Sequence, residues 1–150
     1  MNQEKIMKAR MITAICVAVA ALFALFIFAG LYFDQVKKNR LELMGIYEEN
    51  MLRAAEEIEK YDEKKTDYDL HYNMVLSDLG AARSVIFLID DYTDNQKTIN
   101  EIHYCFVKYP VQMRERLTES GKAFRKIAGH IDEGYEELRE IIDSIDRLGS

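Results

Sequence analysis

Three histidines and two cysteines are the residues best suited to metal or nucleophilic chemistry, and their spacing argues against both. His71, His103 and His130 fall on three different predicted helices. None has a second His or Cys three or four residues away, the spacing that puts two ligands on one helical face. The paired Glu-x-x-His signature of di-iron bundles is missing as well. These histidines are expected at the surface. Cys16 lies in an apolar run and Cys105 in the charged part of the chain, so the two are not expected to pair. Cys105 is expected to pack as a small apolar residue, with an intermolecular disulfide as the alternative. Seven scattered glycines make no phosphate-binding loop, so no cofactor and no metal are expected, and the protein is not expected to be an enzyme.

Binding chemistry has more to work with. Arg114, Arg116, Lys122, Arg125 and Lys126 crowd a short stretch whose only acids are Glu115 and Glu119. Arginine offers a planar fork of donors suited to carboxylate or phosphate. In an antiparallel bundle this stretch falls at the tip that also carries Tyr68, His71 and Tyr72. The candidate ligand site is therefore Arg114, Arg116 and Arg125 with Tyr68, Tyr72 and His71. The competing reading is that these bases pair with Glu63, Asp67 and Asp69 across the tip. Six of the nine tyrosines (Tyr47, Tyr61, Tyr68, Tyr72, Tyr109 and Tyr135) lie on apolar stripes, where they either fill a core or line a cavity. Acid pairs such as Glu56 with Glu57 and Asp132 with Glu133 are expected on solvated faces.

The elements that position these residues begin with a membrane anchor. Residues 11–33 hold 23 positions without one charge. As a helix they reach ~35 Å, enough for a hydrocarbon layer of roughly 30 Å. A cleaved signal peptide fits less well, because the one small-x-small triplet, Ala18-Val19-Ala20, sits in the middle of the run. Ala14 with Ala18 and Ala20 with Ala24 are small-xxx-small pairs that would let two such helices approach. Residues 1–10 form a short basic tail expected in the cytoplasm, with the domain of residues 34–150 outside it. Positive charge does not decide the orientation: Lys5, Lys8 and Arg10 balance Lys37, Lys38 and Arg40. The last three are expected to contact anionic lipid headgroups. From residue 34 on, 17 Lys and Arg face 25 Asp and Glu, a net charge of −8, which argues against nucleic acid as a partner.

Past the span, apolar residues recur in alternating steps of three and four. One stripe is Met44, Tyr47, Met51, Ala54, Ile58 and Tyr61, on a helix expected to continue from the membrane to about residue 62. Thr66 or Asp67 can cap the next helix, whose stripe is Tyr68, Tyr72, Val75, Leu79, Ala82, Ile86 and Ile89. A turn is expected over residues 91–95. A third stripe runs Ile99, Ile102, Phe106, Tyr109, Met113 and Leu117, and Pro110 inside it is expected to kink the helix or end it. The fourth runs Phe124, Ala128, Ile131, Tyr135, Leu138, Ile142 and Ile145, after a break at Gly121. The expected fold is all-α, a transmembrane helix continuous with an up-down-up-down four-helix bundle. The alternative is three long helices, the last kinked at Pro110.

In layout the chain resembles the periplasmic four-helix sensor modules of bacterial chemoreceptors. Those continue into a second membrane helix, and none is expected here between residues 34 and 150. The leading expectation is a membrane-anchored interaction or scaffold component that engages a protein partner or itself. A ligand-binding sensor signalling through a membrane partner is the alternative.

Overall fold

A computed structural model describes residues 3–89 and 94–147, and every element in them is α-helical. The order is α1 (Gln3–Lys64), α2 (Tyr68–Ile89), α3 (Asp94–Lys108), α4 (Pro110–Glu115), α5 (Leu117–Gly129) and α6 (Tyr135–Ser144). The chain divides into two compact units, Met1–Asn39 and Arg40–Ser150.

In the first unit every residue from 11 to 33 is exposed. By length and composition α1 is apolar enough to cross a membrane, and α2 passes the same test with part of its surface buried. Cys16 is exposed on α1, as are Lys37, Lys38 and Arg40.

The second unit is built around one core. Tyr47, Met51, Ala54 and Ile58 of α1 join Val75, Leu79 and Ala82 of α2, Ile99, Ile102 and Phe106 of α3, and Leu138 of α6. Each of these is at most 1% exposed, and burying such side chains drives helices of this length to form. The α1 and α2 stripes thus lie where their spacing puts them. Cys105 is fully buried beside them. Three core tyrosines have their hydroxyls satisfied: Tyr47 and Tyr135 hydrogen-bond each other at 2.9 Å, and Tyr72 donates to the Phe106 carbonyl at 2.7 Å. Burial raises the Tyr47 phenol above its ordinary range and pushes that of Tyr135 up to about 12.

Connections explain where four expected helices become six. Between α1 and α2 only Lys65, Thr66 and Asp67 intervene, with Lys65 and Asp67 in the left-handed region at φ 54° and 56°. The turn expected over residues 91–95 lies outside the described residues except for Asp94 and Asn95, which already belong to α3. Of the two outcomes expected at Pro110, the structure shows the second, an end to the third helix. The proline's fixed φ suits the first position of a new helix, so α3 stops at Lys108 and α4 starts at Pro110. A second interruption follows at Arg116 (φ −100°, ψ 5°).

The expected break at Gly121 is absent, and neither the four-helix nor the three-helix segmentation is realised. Ser120 and Gly121 are buried inside α5, where a Cβ on Gly121 would stand 2.9 Å from Ile58 Cγ2. Close packing against α1 is what the glycine supplies. The reversal comes later, over residues 130–134, and ends on Gly134 at φ +84°. A Cβ there would approach the Ala123 carbonyl oxygen to 2.6 Å, so both the conformation and the space demand glycine. Gln112 pins the end of α6, donating to the Asp146 carbonyl at 2.9 Å and accepting from its N–H at 2.8 Å.

Candidate functional site

The first turns of α2 and the end of α1 bring an aromatic column together. Tyr61, Tyr68, Tyr72, Phe106 and Phe124 follow one another at ring-centroid distances of 5.3, 5.3, 5.5 and 6.1 Å. Tyr68 and Tyr72 are one helical turn apart, which sets two rings side by side on the face that α2 turns inward. At the outer end, the Arg114 guanidinium of α4 lies over the Tyr68 ring at 4.3 Å from its centroid, a stacking geometry that attracts a cation to the ring face. Among the described residues no carboxylate lies within ion-pair distance of Arg114. The Tyr68 hydroxyl is itself buried without a hydrogen-bond partner. Burial raises its phenol above the ordinary range, and the Arg114 charge opposes that rise.

The structure therefore gathers Arg114, Tyr68 and Tyr72, and places the other candidate arginines elsewhere. Arg125 of α5 is bonded to Glu59 of α1 through Nε at 3.1 Å and again through a second nitrogen. Arg116 pairs with Glu119 at 3.3 Å. Neither pairing uses Glu63, Asp67 or Asp69. Arg116 instead borders a groove of about 450 Å³ between α5 and α6, where Lys122 and Lys126 stand opposite Glu137 and Glu140. Lys126 and Glu137 are bonded directly.

His71 departs furthest from expectation. It is not a surface residue: its Nδ1 lies 2.9 Å from Glu57 Oε2, with the two side chains 14% and 8% exposed. Glu57, expected on a solvated face, also accepts from Lys60 at 2.6 Å. Burial works against its charged form, but the bonds from Lys60 and His71 outweigh it and hold the carboxyl below its usual range. The signal for this pair was positional. Glu57 precedes Ile58 and His71 precedes Tyr72, so each flanks a stripe where two packed helices bring their edges together. Of the other histidines, His130 is exposed. His103 packs against Gly80 and, through burial and the nearby Arg83 charge, has its pKa lowered. Among the described residues no group of three or more His, Cys, Asp or Glu side chains could hold a metal ion.

Set against protein-family models, curated proteins and solved structures, the chain matches none of them.

Proposed function

We propose that this chain is a membrane-anchored interaction protein without catalytic activity. Residues 11–33 of α1 span the bilayer, residues 1–10 lie in the cytoplasm, and the acidic unit lies on the opposite side as a helical bundle that engages another protein or a second copy. The observation that carries this reading is the run of 23 uncharged residues, all exposed. An apolar surface of that extent is stable only when lipid or protein covers it. Lys37, Lys38 and Arg40 then meet anionic headgroups at one end of the span, each contributing about 1 kcal/mol.

A second reading, a sensor for a small anion, is supported by one arrangement: the Arg114 fork held against Tyr68 without a carboxylate partner. A thermal-shift screen with inorganic phosphate and simple carboxylates separates the two readings, because a ligand that binds only the folded state must raise the melting temperature. A shift that weakens with salt and vanishes in Arg114→Ala, while Arg125→Ala retains it, favours the sensor. The interaction reading expects no shift. It also expects the chain to stay with membranes through an alkaline wash, and release into the supernatant would refute the anchor.

A further inference from the structure

We propose that the outward face of α2 is where a second copy of this chain docks, the two α2 helices running parallel. The inference deepens the interaction reading above and rests on it. Besides its core stripe, α2 carries a second 4-3 series, Leu70, Met74, Ser77, Ala81, Ser84 and Leu88. All six are exposed, with Leu70, Met74 and Leu88 at 59%, 42% and 68%. None is charged, in a protein in which 31% of residues are. The opposite side of the same helix is occupied by Val75, Leu79 and Ala82 at 0% exposure. A helix packed on a core from one side needs one apolar stripe with a charged or polar face opposite, and this uncharged face with three large exposed apolar side chains departs from that pattern. The α3 flank widens the surface with exposed Tyr104 and Val107, since α3 packs along that side through Arg83–Asn100 at 2.7 Å and Gly80 against His103.

The composition of the face selects its occupant. Leu and Met stand toward its ends and Ser77, Ala81 and Ser84 in its middle, so a second helix can approach closely along the centre. A helix made to lie in lipid sets Trp, Phe or Leu along one face opposite a polar face rich in Lys and Arg, whereas the middle of this face is Ser77, Ala81 and Ser84 and the side opposite is the buried core stripe. Charge then favours a copy of the same surface. Asp78 borders the face on the α1 side, where Arg53 and Lys60 are already paired with Glu49 and Glu57, and exposed Lys108 lies over Tyr104 on the α3 side. A two-fold axis along α2 turns the α1 flank of one copy toward the α3 flank of the other, so Asp78 meets the Lys108 side. An antiparallel pairing would set Asp78 against itself. Confinement to one membrane raises the effective concentration of the copies, so a face of modest area suffices.

The test uses the full chain in membranes, with Cys16→Ser to remove the exposed thiol and Cys105 left in the core. Leu70→Cys, Ala81→Cys and Leu88→Cys are made singly and treated with a short bis-maleimide, with Glu140→Cys on α6 as the exposed control. Each α2 variant is expected to give a product of twice the chain mass at least roughly tenfold above the control. Adding Ala81→Arg to the Leu70→Cys chain is expected to lower that yield by about tenfold, while the melting temperature stays within a few degrees because position 81 is outside the core. Yields equal to the control overturn the proposal. So does a requirement for Leu70→Cys and Leu88→Cys together, which marks an antiparallel pair, or a product of any other mass, which marks a different protein. An Ala81→Cys thiol shielded from a water-soluble maleimide without any crosslink marks lipid and also overturns it. Alkaline extraction run in parallel keeps the two readings apart: loss from the membrane with crosslinking retained in detergent defeats the anchor alone, and retention without crosslinking defeats the face alone.

Discussion

The Glu57 carboxylate of α1 and the His71 ring of α2 meet at 2.9 Å in a place that is nearly closed to solvent. This contact joins the two helices on either side of a connector of three residues. Bonds from Lys60 and His71 hold the Glu57 carboxyl below the ordinary value of 4.5, against the opposing effect of burial. A depressed carboxyl contributes stability that is complete above its unfolded value and is lost as pH falls through its folded value.

The chain should therefore lose stability as pH drops below about 4.5, and Glu57→Gln should lose less over the same interval because nothing titrates there. At neutral pH the same variant should be less stable by about 1.5 to 3 kcal/mol, the range for hydrogen bonds to a charged group. Denaturant unfolding at several pH values measures both. Parallel pH profiles for the two proteins would show that the Glu57–His71 contact contributes nothing to folding.

The core predicts a sharp contrast between positions on one helix pair. Leu79 is fully buried and Ile86 is 5% exposed, so truncating either to Ala should cost ~2–5 kcal/mol in lost burial and residual cavity. Glu56→Ala, at a partly exposed position of α1, should cost under about 0.5 kcal/mol. Unfolding of an isolated fragment, residues 34–150, which contains the second unit, is the measurement, and a folded helical signal from that fragment is itself expected. Equal costs at all three positions would mean that the α2 stripe is not a core.

Gly121 and Gly134 supply the third prediction. At Gly134 an added Cβ meets a backbone carbonyl at 2.6 Å in a left-handed conformation. Gly134→Ala should cost well over the ~1–2 kcal/mol of the conformation alone. At Gly121 the obstacle is the Ile58 side chain at 2.9 Å, which can shift, and alanine recovers about 1 kcal/mol of helix propensity. Gly121→Ala should be the milder change when the two melting temperatures are compared. The reverse order would place the chain reversal at Gly121.

Why the sequence misplaced that reversal is physical. A helix pattern that continues in phase through Ser120 and Gly121 is compatible with a break or with no break, and tertiary packing against Ile58 decides it. Pro110 and the gap after Lys64 carry their own local chemistry, so those boundaries were legible. The stripes of α1 and α2 were legible because the 3-4 spacing is itself the packing geometry. Of the candidate site, Tyr68 with Tyr72 followed from their one-turn separation. The meeting of Arg114 with Tyr68 joins residues 114 − 68 = 46 positions apart, and the engagement of Arg125 with Glu59 spans 66 residues of chain. No local pattern encodes either.

Protease added outside intact cells that produce the full chain tests the central claim most directly, because it asks at once whether residues 11–33 span a membrane and on which side the acidic unit stands. The account predicts that the acidic unit is removed while a short membrane-bound fragment carrying residues 11–33 survives. A chain that stays whole until the cells are lysed would reverse the orientation, and digestion with no protected fragment in membranes would contradict the span itself.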